Sequence, residues 1–77
     1  VDDAMRDDFD VLERELRALI GNFEGLLLER KPVSVAVHYR GNPEREAEIH
    51  GLAAAAVRSR PHLKCLPGSK VVEILPR

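Results

Sequence analysis

Eight consecutive residues constrain this chain more than any others. From Val33 to Arg40, large apolar side chains alternate with small or polar ones: Val33, Val35, Val37 and Tyr39 against Ser34, Ala36, His38 and Arg40. A period of two places the sets on opposite faces of a β-strand, so one face is buried and the other is of different character. The strand runs into Gly41-Asn42-Pro43, a helix-start signal in which Asn42 can cap and Pro43 suits the first helical position.

Similar alternation flanks this stretch. Phe23 to Lys31 reads as a strand with Leu26 and Leu28 on one face and Leu27, Glu29 and Lys31 on the other. Pro32 interrupts it, because proline has no N–H for a ladder. The short connection to Val33 makes the pair an antiparallel hairpin. Later in the chain, His62 to Leu66 is a short strand and Pro67-Gly68-Ser69 a turn. Lys70 to Leu75 is the fourth strand, with Val72 and Ile74 opposite Val71, Glu73 and Leu75.

Two helices complete the reading. Asp2 to Ile20 carries Met5, Phe9, Leu12, Leu16 and Leu19 at helical spacing, and Gly21-Asn22 stops it. Asp2, Asp3, Asp7 and Asp8 suit the positive end of the helix better than a metal site, since nothing nearby completes a ligand set. The second helix begins near Pro43, with Glu44, Glu46 and Glu48 in its early turns. Ile49, Leu52, Ala53, Ala56 and Val57 form its stripe, and Arg60-Pro61 ends it.

The expected fold is α+β, a two-layer sandwich formed by a single domain over residues 1–77. Its order is helix-strand-strand-helix-strand-strand, with a four-stranded antiparallel sheet and both helices on one face. The other sheet face then carries Glu29, Lys31, Ser34, His38, Arg40 and Glu73. Glu73 stands out, because a carboxylate among Val71, Val72, Ile74 and Leu75 must be exposed or partnered. His38 reads either as a ligand contact or as a partner of a neighbouring strand. Arg40 reads as a ligand contact, a brace for the Gly41-Asn42 turn, or a contact to another domain. Tyr39 is expected in the core, His50 and His62 at the surface, and Cys65 as a small packed residue with no base to make it a nucleophile.

Composition excludes several classes. Lys and Arg number 12 against 13 Asp and Glu, giving a net charge of −1 with the signs interleaved, so there is no basic stripe for nucleic acid. No apolar run approaches a membrane span. One cysteine allows no internal disulfide and fits a reducing, cytoplasmic setting. No Cys/His spacing suggests zinc. The chain begins at Val1 rather than Met and stops just after a strand, so we expect a piece of a longer protein, the alternative being a small processed one.

Glu29-Arg30-Lys31, then Val35-Ala36-Val37-His38-Tyr39-Arg40, then Val71-Val72-Glu73-Ile74-Leu75-Pro76-Arg77 together resemble the cap domain of trehalose-6-phosphate phosphatases, within the haloacid dehalogenase superfamily. That family shows a Glu-x-Lys pair, an Ala-hydrophobic-His-Tyr-Arg run, and a glycine turn leading into Val-hydrophobic-Glu-hydrophobic-x-Pro. The resemblance spans roughly Gly25 to Arg77. It implies a parent enzyme that hydrolyses trehalose 6-phosphate, with its nucleophilic Asp and Mg²⁺ in a separate core domain of the same polypeptide. This sequence has no Asp-x-Asp followed by Gly-Thr, so catalytic residues and metal ligands are expected elsewhere. The resemblance places Glu29, Lys31 and Glu73 where the family contacts glucose hydroxyls, with His38 and Arg40 as further substrate-binding candidates. One departure is Ser69, where many members carry Lys or Arg; Lys70 follows it. The rival readings are a ferredoxin-like regulatory or ligand-binding module without enzymatic role, and a bare protein-interaction domain.

Overall fold

The computed structural model describes residues 3–77. Helix α1 (Asp3–Ile20) is followed by strands β1 (Leu27–Lys31) and β2 (Ser34–His38). A 3₁₀ turn (Pro43–Arg45) leads into helix α2 (Glu46–Arg58), and β3 (Leu63–Gly68) and β4 (Val71–Pro76) close the chain. The sheet is antiparallel throughout, in the order β1-β2-β4-β3. The α+β architecture and element order are those expected. The acidic residue Asp2 lies outside the described residues.

The strand faces follow the alternation in the sequence. Val35, Val37, Tyr39, Val72, Ile74 and Leu63 are buried against Phe9, Leu12 and Leu16 of α1 and Ile49 and Ala53 of α2. Each large aliphatic side chain buried in this way contributes on the order of 1.5–3 kcal/mol. Arg60, two residues beyond α2, donates to Ala56 O and pairs with Glu15 of α1 at 3.1 Å, joining the two helices.

Several expectations need correction. Pro67 and Gly68, read with Ser69 as a turn, instead pair with Val72 and Val71 at the end of β3, and the turn falls on Ser69-Lys70. Leu19 was assigned to the buried stripe of α1, but it is 56% exposed and Ile20 is buried in its place. Leu16 and Ile20 are four residues apart and share a face, whereas Leu19 has turned out of it. Asn42 does not cap the second helix. Its Nδ2 donates instead to Glu24 O at 3.0 Å, and the helix opens through the 3₁₀ turn. His50 is not a free surface residue. Its Nε2 lies 3.0 Å from the hydroxyl of Tyr39, which donates to Glu46 Oε2 at 2.7 Å, so the imidazole nitrogen must be the donor to the Tyr39 oxygen. The Glu46 bond, together with burial, raises the Tyr39 pKa and keeps the hydroxyl protonated.

The first strand starts at Leu27, later than expected, because Gly25 turns the chain with φ +80°. A Cβ on Gly25 would lie 2.4 Å from Gly41 O, and one on Gly41 would lie 2.8 Å from Gly25 Cα. The two loops therefore cross with backbone against backbone, and Arg45 stacks 3.7 Å over the Phe23 ring beside them. Gly25→Ala combines a disfavoured φ with a backbone clash, and we expect it to destabilise the domain by about 2–4 kcal/mol in urea unfolding. The same measurement should separate Ile20→Ala, costing about 2–4 kcal/mol, from Leu19→Ala, which should be within about 1 kcal/mol of wild type.

Candidate functional site

Register places the open-face residues in rows. Glu29 of β1 lies opposite Ala36 of β2, Ala36 opposite Glu73 of β4, and Glu73 opposite Leu66 of β3. In one flanking row Lys31 faces Ser34, and in the other Leu27 faces His38 and His38 faces Val71. Strands β1 and β4 are not neighbours; two spacings of about 4.8 Å separate them. Yet Lys31 Nζ and Glu73 Oε2 are 3.2 Å apart. The pair can close over β2 because Ser34 and Ala36 are too small to obstruct it. Both are buried beneath it, Ala36 to 3% exposure.

The result is a shallow depression of about 260 Å³ whose lining includes Glu29, Lys31, Ala36, His38, Leu66 and Glu73. Four of the five sequence candidates, Glu29, Lys31, His38 and Glu73, meet there. The fifth, Arg40, does not line it. Its Nη2 lies 3.5 Å from Ser69 O and from Ser69 Oγ, at the β3–β4 turn. Lys70, in that same turn, has φ 57° and also does not line the depression.

The polar groups are already paired with one another. An ionised carboxylate only accepts, so His38 Nε2 donates to Glu29 Oε1 at 2.9 Å. This bond, with the Lys31 and His38 charges behind it, lowers the Glu29 pKa despite some desolvation. Glu73 is the most enclosed of the set, its side chain 24% exposed, with Lys31 as partner. Two carboxylates and an ammonium around an alanine floor can receive a neutral polyhydroxyl ligand, whose hydroxyls donate to the first and accept from the second.

Sequence reading missed Arg30, between Glu29 and Lys31 but on the helix side of β1, where it reaches Asp10 and Glu13 of α1. Parity was the available signal, since Arg30 falls on the apolar face of its strand. Cys65 is half-buried at the edge of the core, and burial raises its thiol pKa, so it stays protonated. Among the described residues no group of three or more His, Cys, Asp or Glu side chains is arranged to hold a metal ion. Among them, too, no helix is long and apolar enough to cross a membrane.

Fold and face define a class: a small two-layer α+β domain presenting a carboxylate- and ammonium-lined depression on its uncovered sheet. No protein-family model matches the chain. Curated relatives do. A probable trehalose-phosphate phosphatase of Sinorhizobium fredii (strain NBRC 101917 / NGR234) is 40% identical over 70 residues, covering 90% of this chain and 26% of that protein. The trehalose-6-phosphate phosphatase of Escherichia coli (strain K12) is 35% identical over 75 residues, covering 97% of this chain and 27% of that protein. Among solved structures, Aspergillus fumigatus trehalose-6-phosphate phosphatase superposes with TM-score 0.70 at 21% identity, over 92% of this chain and 28% of that one. A trehalose-6-phosphate phosphatase related protein gives TM-score 0.68 at 20% identity, over 96% and 32%. The structural matches establish likeness of fold. This chain is homologous to one segment of the trehalose-phosphate phosphatases, and it spans about a quarter of the length of the curated relatives it matches.

The lowered Glu29 pKa has a measurable consequence. Its carboxyl should titrate below the ordinary value of 4.5 in carbon-detected NMR, and His38→Ala should move the midpoint upward. Because the folded pKa lies below the unfolded one, the stabilisation is present above the unfolded value and is lost as pH falls through the folded one.

Proposed function

We propose that this chain is the cap of a larger phosphatase and recognises the sugar of trehalose 6-phosphate, which the parent hydrolyses to trehalose and phosphate. The observation that carries this reading is the meeting of Glu29, Lys31 and Glu73 over the small floor of β2. The homology supports the choice of substrate.

In this reading Glu29 and Glu73 accept hydrogen bonds from sugar hydroxyls and Lys31 donates to them, each giving up its present partner. A site built for hydroxyls discriminates strongly, because a ligand lacking them leaves buried polar groups unpaired. His38 backs Glu29 and offers a further contact, while Arg40, at the β3–β4 turn, is proposed as an outer contact to the substrate. Sites that enclose a small ligand span roughly 300–1,000 Å³. The depression here is smaller and open, as one wall of such a site would be. The opposite wall is proposed to be the core domain of the same polypeptide, carrying the Asp nucleophile and Mg²⁺. The residues described here do not fit that metal, so no chemical step is placed on them. Closure of the cap would exclude water and complete the site. A cytoplasmic setting is proposed on the single cysteine. No observation favours the regulatory-module reading.

Glu73→Gln in the full-length parent keeps the shape of the side chain and removes its charge. Charge-assisted hydrogen bonds are worth roughly 1.5–3 kcal/mol, so kcat/KM for trehalose 6-phosphate should fall about 10- to 100-fold. Turnover of a small generic ester such as p-nitrophenyl phosphate should be nearly unchanged. An equal loss on both substrates would count against a recognition role.

A further inference from the structure

We infer that Arg30 is a positioning residue for the open-face site, fixing the β1–β2 hairpin and thereby Glu29 and Lys31 against helix α1. The inference rests on the reading of that face as the sugar site. Three observations carry it.

The first is the position of β1, which is an edge strand paired only to β2. Half of the candidate site therefore stands on the part of the sheet with the fewest neighbours. The second is the hairpin turn. Lys31 pairs with Ser34, leaving Pro32 and Val33 as a two-residue loop. Loops of this length normally match strand twist through residues with positive φ, as in type I′ and II′ turns. Among the described residues only Lys70 and Gly25 have positive φ, so the Pro32-Val33 loop lacks this means of setting its geometry.

The third is what Arg30 does there. Its Nε donates to Lys31 O at 2.6 Å and its Nη2 to Pro32 O at 3.2 Å, so the guanidinium spans the carbonyls of the turn itself. From the same group Nη1 reaches Asp10 Oδ1 at 2.8 Å and Glu13 Oε1 at 3.1 Å, and Nη2 reaches Arg6 O at 3.4 Å. Glu13 is held in turn by Arg17 at 2.9 Å. The Arg30 side chain is itself 19% exposed, and its bond to Glu13 is partly buried, while the bonds to Asp10 and to the carbonyls stay open to water. A planar fork with five donors can serve two carboxylates and three carbonyls together; a lysine cannot. The residue whose carbonyl Arg30 grips most closely is Lys31, which bridges β2 to reach Glu73. Loss of the fork frees the turn, and the ammonium and Glu29 lose their fixed spacing from Glu73.

The test uses the full-length parent and measures KM and kcat on trehalose 6-phosphate and on p-nitrophenyl phosphate. The variants are Arg30→Met, Arg30→Lys, and the double variant Asp10→Asn/Glu13→Gln, which removes the helix anchors without touching the strand. Misplacing a binding group by an ångström is enough for effects of about tenfold or more. We therefore expect Arg30→Met to raise KM for the disaccharide phosphate about tenfold, with Arg30→Lys recovering part of the loss and the double variant shifting the same way. Kinetics on the small ester should be unchanged, showing an intact core, and the far-UV circular dichroism of each variant should match wild type, showing an intact cap. If Arg30→Met does not fold, the double variant decides. Unchanged KM in folded variants, or equal losses on both esters, would overturn the inference. If Glu73→Gln is impaired as expected while the Arg30 and double variants are not, the positioning role alone fails. If Glu73→Gln is itself without effect, the sugar-site reading fails and the inference with it.

Discussion

The structure depends on β2 being covered on both sides. Val35 and Val37 on one face lie in the core against the helices. Ser34 and Ala36 on the other are buried under the neighbouring charged side chains. The strand is thus the roof of the core and the floor of the depression at once. Large branched residues suit the first role, because they fill the layer between sheet and helices. Small residues suit the second, because only above them can side chains from β1 and β4 meet. One stretch of alternating sequence meets both demands, and the candidate site cannot be separated from the fold that presents it.

Charge pairing orders the rest of the face. Glu29 hydrogen-bonded to His38 and Lys31 ion-paired with Glu73 form two couples that together use all four groups of the set. Exposed pairs of this kind add little stability, typically under about 1 kcal/mol. Their effect is geometric, since they hold four long side chains together around the floor formed by Ala36. The helix-side network is different in kind. Arg30 with Asp10 and Glu13 ties an edge strand to a helix, and its Glu13 pair is the more sheltered of the two.

Much of this was legible in the residues. The period-two stretches gave the strands and their faces, so Glu29, Lys31, His38 and Glu73 could be assigned to one surface before any coordinates. Parity could not say that Lys31 and Glu73 meet, because that depends on the strand order, which puts β2 between them. Nor could it keep Arg40 with the others. The regular strand ends at His38, and Arg40 turns toward Ser69. Leu19 and Ile20 are adjacent and both apolar, so the stripe admitted either until packing chose. Asn42 had the chemistry of a cap, but the crossing of Gly25 and Gly41 brought Glu24 O within its reach. Arg30 was passed over because arginine on an apolar strand face has no local explanation; its partners lie 17 and 20 residues earlier in the chain.

The self-paired state of the depression bears on how ionic strength would act on it. At physiological salt the Debye length is about 8 Å, so ions reach and loosen a partly exposed ion pair such as Lys31–Glu73. A neutral polyol competes with such a pair for the same groups and gains when it weakens. A phosphate approaching Lys31 or Arg40 loses attraction under the same screening. Under the proposed reading, a ligand carrying both groups would be held by two contributions that respond to salt in opposite senses, and the balance between hydroxyl recognition and anion attraction would shift with the medium.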